Sequence, residues 1–208
     1  MGRHSLFTPH RSPLTAFCDN GVAETLQPAV KSPLYDRSWP CAPFNAGPYR
    51  TWLTDRGSLT QRIADRCADF RVEVVFQGLR KPTRDEAFLF TDCGRSNVLV
   101  REVYLCCGAT PVVFAHSVTR PRDVRGAWAA LTRLGSRSLG SRLFADPRVY
   151  RCPLHQLKLT ARHELYRLAT LRLASGLPAA LWARRSLFLR HKSPILVTEV
   201  FLPGILDL

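Results

Sequence analysis

From residue 97 onward, apolar runs recur between turn residues. Asn97 to Cys107 and Val112 to Arg120 flank Gly108-Ala109-Thr110-Pro111, a pattern that predicts an antiparallel hairpin. A second hairpin is predicted from Arg185 to Arg190 and Ile195 to Leu202, around the turn His191-Lys192-Ser193-Pro194. Phe70 to Gln77 alternates and is β-branched, so it reads as a strand, and Val149 to Leu159 as another. Helical spacing lies between them. Val124, Ala127, Trp128, Leu131 and Leu134 recur at helical intervals, predicting a helix opened by Pro121 and ended by Gly135. Shorter helices are predicted over Thr51 to Arg56, from the cap Ser58 to about Cys67, from Leu139 to Phe144 and from His163 to Ala174. Hairpins with helices between them describe an α+β fold on an antiparallel sheet.

Residues two apart in a strand share a face. Arg101 therefore sits with Leu99, Val103 and Leu105, and Glu199 with Ile195, Val197 and Phe201. A buried charge without a partner costs several kcal/mol, so each must meet a counter-charge or a ligand. Two readings stay open: the pair salt-bridges to itself, or an Arg fork for a carboxylate and a Glu acceptor for a hydroxyl face an internal pocket. The alternate positions are apolar too (Val98, Val100, Tyr104; Leu196, Val200, Leu202), which implies cover on both faces of the sheet.

Charge narrows the choice of partner. The 208 residues carry 30 Lys and Arg against 16 Asp and Glu, a net charge of +14 that favours an anion. Arginine is scattered through every segment without a nucleic-acid-binding motif, so no nucleic-acid partner is expected. No apolar run is long enough for a membrane-spanning helix, and residues 1–10 lack the apolar core of a secretory signal. Seven cysteines without a C-x-x-C are expected to be reduced thiols in a cytoplasmic protein. Prolines 9, 13, 28, 33, 40, 43 and 48 mark residues 1–48 as an extended arm, with Trp39 and Phe44 as anchors onto a body spanning 49–208. His116 and His155 read as packed histidines and Arg184-Arg185 as a solvated rim, with steering of a second carboxylate as the alternative. The basic stretch 153–178, with Arg162, Arg167 and Arg172, reads as a solvated helix whose apolar face supports only weak contact with a membrane surface.

Several segments resemble chorismate pyruvate-lyases. They are Trp52-Leu53, Gly57-Ser58-Leu59-Thr60, Val100-Arg101-Glu102-Val103, Leu134-Gly135 through Leu139-Gly140, Leu143-Phe144, Ala183-Arg184-Arg185-Ser186 and Thr198-Glu199-Val200-Phe201-Leu202-Pro203. In the right order they cover Trp52 to Pro203. The resemblance implies about six antiparallel strands with helices packed on one side, a monomer, and a site closed beneath two helical flaps. It places substrate contacts on Leu59, Arg101, Leu139 and Glu199, with Arg101 on a ring carboxylate and Glu199 on a ring hydroxyl as the catalytic pair. The implied reaction removes pyruvate from chorismate to give 4-hydroxybenzoate for ubiquinone biosynthesis, without metal or cofactor. Residues 152–178 form a longer connection than relatives carry, and the arm before Tyr49 has no counterpart. The rival reading is a non-catalytic sensor of an aromatic carboxylate on the same fold. Such sensors follow a winged DNA-binding segment, which residues 1–48 do not make.

Overall fold

In a computed structural model of the chain, the two predicted hairpins join edge to edge. The strands are β1 (Phe70–Arg80), β2 (Val98–Cys107), β3 (Thr110–Thr119), β4 (Val149–Arg151), β5 (His155–Thr160), β6 (Ala180–Arg190) and β7 (Ser193–Phe201). They form one antiparallel sheet in the order β1-β2-β3-β7-β6-β4, with β5 also paired to β6. That is seven strands where about six were expected. The single strand predicted over Val149 to Leu159 breaks at Cys152-Pro153-Leu154, where Pro153 has no N–H for a ladder, and its halves pair separately with β6. His191 and Lys192 both adopt positive φ, 49° and 64°, the geometry of a two-residue turn between twisted strands.

The structure describes residues 39–87, 89–90, 97–173 and 176–208. They belong to one unit spanning Pro33–Leu208. Most of the predicted arm, through residue 38, lies outside the described residues. Of its two anchors, Trp39 is buried, with the Arg185 guanidinium 4.1 Å above its ring, whereas Phe44 is 78% exposed and anchors nothing.

The helices are α1 (Arg50–Thr54), α2 (Leu59–Ala64), α3 (Pro121–Val124), α4 (Leu139–Ala145) and α5 (Glu164–Thr170). Ser58 and Ser138 cap α2 and α4 by accepting from the backbone N–H of Gln61 and Ser141 at 3.3 and 3.4 Å. The helix predicted from Pro121 to Leu134 divides into α3 and a 3-10 turn at Ala129–Arg133. Gly126 and Trp128 both donate to the Asp123 carbonyl, at 3.1 and 2.9 Å, which interrupts the regular ladder. The apolar stripe is still buried, because Trp128, Leu131 and Leu134 pack with Leu139, Leu143, Phe188 and Ile195. On the same face, Trp52, Leu53, Leu59 and Ile63 from α1 and α2 meet Val103, Leu105 and Phe201. On the other face, Tyr104, Phe114 and Val200 pack beneath Leu165 and Ala169 of α5. Both faces are covered, as the apolar alternate positions require, and α5 stands on the face opposite the other helices, where the resemblance implies helices on one side.

Cys67, just beyond α2, is disulfide-bonded to Cys107 at the end of β2, with α-carbons 5.8 Å apart. This corrects the expectation of seven reduced thiols. The turn between α2 and β1 folds back on the end of β2, where the Gly108 N–H donates to the Asp69 carbonyl at 3.0 Å, and so brings together cysteines 40 positions apart. The cysteines therefore no longer argue for a cytoplasmic location. Cys18 and Cys93 lie outside the described residues.

Beneath the sheet, His116 is buried between two carboxylates, with Nδ1 3.2 Å from Glu102 Oε1 and Nε2 3.0 Å from Glu86 Oε1. The second contact is an ion pair without hydrogen-bond alignment. Burial alone would lower the His116 pKa, but the two carboxylates outweigh it and hold the value up at about 9. A value raised above the ordinary 6.5 contributes stability that is fully present below about pH 6.5 and lost as the pH rises through about 9. The thermal midpoint of the wild type should therefore fall across this interval, and His116→Gln should flatten the fall. Equal slopes for the two proteins, followed by circular dichroism, would contradict the pairing.

Candidate active site

The register puts the two flagged charges on one face, two strands and one step apart. Arg101 lies in a row with Ser117, Val197 and Ser186, and Glu199 in the adjacent row with Val103, Ala115 and Arg184. With β3 between them, their backbones stand about 10 Å apart across the sheet. They do not pair with each other. Arg101, 6% exposed, donates through Nη1 to Gln77 Oε1 at 2.8 Å and through Nη2 to the carbonyls of Gly135 at 2.9 Å and Arg137 at 3.3 Å. All three acceptors are neutral. Among the described residues no carboxylate pairs with this guanidinium, and burial pulls its pKa below the ordinary arginine value. Arginine stays charged regardless, so the site holds a buried cation in want of an anion.

Glu199 is held differently. Its Oε2 accepts from Arg184 Nε at 2.6 Å, leaving Oε1 for a ligand. Arg184 is fully buried and donates through Nη1 to the carbonyls of Trp52 and Asp55, both at 2.7 Å, so it ties Glu199 to the end of α1. Neither a solvated rim nor a steering role survives for this arginine. Arg185, next along the strand, points to the opposite face and reaches Asp85 Oδ2 at 2.9 Å. Of the basic stretch, Arg172 pairs with Glu73 on β1.

Leu59 and Leu139 open α2 and α4, and both are buried. The two helices meet where the hydroxyls of Thr60 and Ser138 bond at 2.7 Å. Gly140 permits that approach, since a Cβ there would stand 3.1 Å from Thr60 Oγ1. Leu59, Arg101, Leu139 and Glu199 line one partly enclosed cavity of about 40 Å³, floored by Val103, Ala115, Ser117 and Val197. A cavity that takes benzene measures about 150 Å³. An aromatic ligand therefore has to push the α2 and α4 flaps apart to enter.

Comparison with known proteins decides the family. The family described as chorismate lyase matches residues 43–207. A probable chorismate pyruvate-lyase of Nitrosomonas europaea is 52% identical over 169 residues, covering 81% of this chain and 94% of that protein. The chain belongs to the chorismate lyase family. Its class is therefore that of a carbon–oxygen lyase. A probable chorismate pyruvate-lyase of Nitrosospira multiformis is also 52% identical, over 82% of this chain and 95% of its own length. Among solved structures, the ligand-binding domain of a putative GntR-family regulator from Bordetella bronchiseptica is 12% identical with a TM-score of 0.44, covering 64% of this chain and 83% of that domain. Relatives at half identity carry a lyase name, so the sensor reading is not favoured.

Among the described residues no helix is long and apolar enough to cross a membrane, and no cluster of three or more His, Cys, Asp or Glu could hold a metal. Sequence reasoning missed Arg151, which also lines the cavity. It stands opposite Phe188 in β4, a strand of three residues, too short for alternation to mark a face.

Proposed function

We propose that residues 49–208, acting as a monomer without cofactor, remove pyruvate from chorismate and leave 4-hydroxybenzoate, which feeds ubiquinone biosynthesis. The observation that carries this reading is the buried Arg101 guanidinium, facing the cavity with only neutral partners. Arg101 receives the ring carboxylate, and drawing charge toward that end assists loss of the hydrogen on the ring carbon that bears the hydroxyl. As that C–H bond breaks, its electrons enter the ring and the neighbouring C–O ether bond breaks. The departing enolpyruvyl group takes the hydrogen and becomes pyruvate. Aromatisation drives the step. Glu199 Oε1 accepts the hydroxyl hydrogen bond and fixes the ring's orientation, while Leu59 and Leu139 keep water out. A cytoplasmic location belongs to this reading through the substrate. Incubating the protein with chorismate should release pyruvate, measured by coupled lactate dehydrogenase, together with an equal amount of 4-hydroxybenzoate. No pyruvate above the uncatalysed rate would overturn the reading.

The product keeps both the carboxylate and the hydroxyl, so a site fitted to both ends retains it. Glu199→Gln preserves shape and removes the charge that accepts the phenolic bond. A charge-assisted bond contributes about 1.5–3 kcal/mol, so affinity for 4-hydroxybenzoate should fall roughly ten- to a hundredfold. Calorimetric titration of both proteins checks this, and equal affinities would mean that Glu199 does not touch the hydroxyl.

A further inference from the structure

We propose that Arg151 forms a second anion subsite of the cavity and binds the carboxylate of the group that leaves; the inference rests on the lyase reading above. Arg151 and Phe188 are paired across β4 and β6, so the arginine rises from the same face of the sheet as Arg101 and Glu199. Its guanidinium is fixed on two sides. Nη1 donates to the Arg56 carbonyl at 2.6 Å, and the guanidinium carbon lies 5.1 Å from the Phe144 ring and 5.3 Å from the Phe188 ring. Nε is buried and, among the described residues, has no hydrogen-bond partner. A buried N–H without an acceptor is costly, and a charged one more so.

The charges facing the cavity point the same way. Glu199 is already ion-paired with Arg184. Glu199 and Asp55 lie near enough to favour the charged form of Arg151, yet among the described residues neither Arg101 nor Arg151 forms an ion pair with a carboxylate. Two guanidinium groups without an ion-paired carboxylate fit a dianion. They stand at opposite sides of the cavity, on β2 and β4, so their long side chains reach inward toward the two ends of one ligand. Chorismate has a carboxylate on the ring and another on the enolpyruvyl group. Each product keeps one. Arg151 thus distinguishes substrate from 4-hydroxybenzoate, which Arg101 and Glu199 hold without it.

The test uses binding as well as turnover. The probe is 3-(carboxymethoxy)-4-hydroxybenzoate, which carries the ring carboxylate, the hydroxyl and an ether-linked second carboxylate and has no hydrogen to eliminate. In Arg151→Gln, affinity for this diacid and KM for chorismate should worsen about ten- to a hundredfold, while affinity for 4-hydroxybenzoate stays within about twofold. Arg151→Lys should recover part of the diacid affinity. Equal loss for the diacid and for 4-hydroxybenzoate, or no loss for either, would overturn the subsite. Wild-type protein that leaves chorismate untouched would overturn the lyase reading instead.

Discussion

Arg101→Lys should keep the fold and lose most activity, with kcat/KM falling roughly thirty- to a thousandfold, or about 2–4 kcal/mol of transition-state stabilisation. The reason lies in how the guanidinium is held. Gln77 and the carbonyls of Gly135 and Arg137 take donors from both terminal nitrogens and set the plane of the fork. A lysine ammonium fills the same channel and can reach one or two of those acceptors, so packing survives. With three N–H donors against the five of a guanidinium, it cannot keep those acceptors and also hold a ligand carboxylate through two hydrogen bonds. Steady-state kinetics on the variant, with circular dichroism to verify folding, check this. Wild-type kcat/KM in a folded variant would contradict the assignment of Arg101.

Arg184→Met should act on stability. Arg184 is fully buried and joins Glu199 to the carbonyls of Trp52 and Asp55, so its removal leaves a carboxylate and the end of α1 without their partner. Breaking a buried pair from one side costs about 3–5 kcal/mol. At about 2–4 °C per kcal/mol for a chain of this size, the thermal midpoint should drop by roughly 6–20 °C. Combining Arg184→Met with Glu199→Leu should be milder, since no uncompensated charge remains. A single variant whose midpoint matches the wild type would show that the pair does not hold α1 to the sheet.

Alternation within long strands was enough to flag Arg101 and Glu199 as charges on a covered face, because ten or so residues of β2 and β7 each keep one parity. The hairpin turns were legible for the same local reason. Arg184 was misread because the Ala183-Arg184-Arg185-Ser186 segment places two charges in succession. A strand buried on both faces can hide both charges only if partners come from elsewhere, here from α1 and Asp85. Those partners are distant in sequence. The same holds for Cys67 with Cys107, and for His116 with Glu86, where no local pattern announces the meeting. The helix from Pro121 to Leu134 kept its apolar face yet lost its ladder, since burial of the stripe needs only approximate spacing. Arg151 required the register of β4 against β6, which three residues cannot reveal.

In the proposed reaction an aromatic carboxylate lies between Arg101 and Glu199 beneath the α2 and α4 flaps. A crystal structure of the protein soaked or grown with 4-hydroxybenzoate tests it most directly. The carboxylate is expected within hydrogen-bond distance of the Arg101 guanidinium, the hydroxyl on Glu199 Oε1, and Leu59 and Leu139 closed over the ring. A ligand bound outside this cavity, or one with its carboxylate turned away from Arg101, would contradict it.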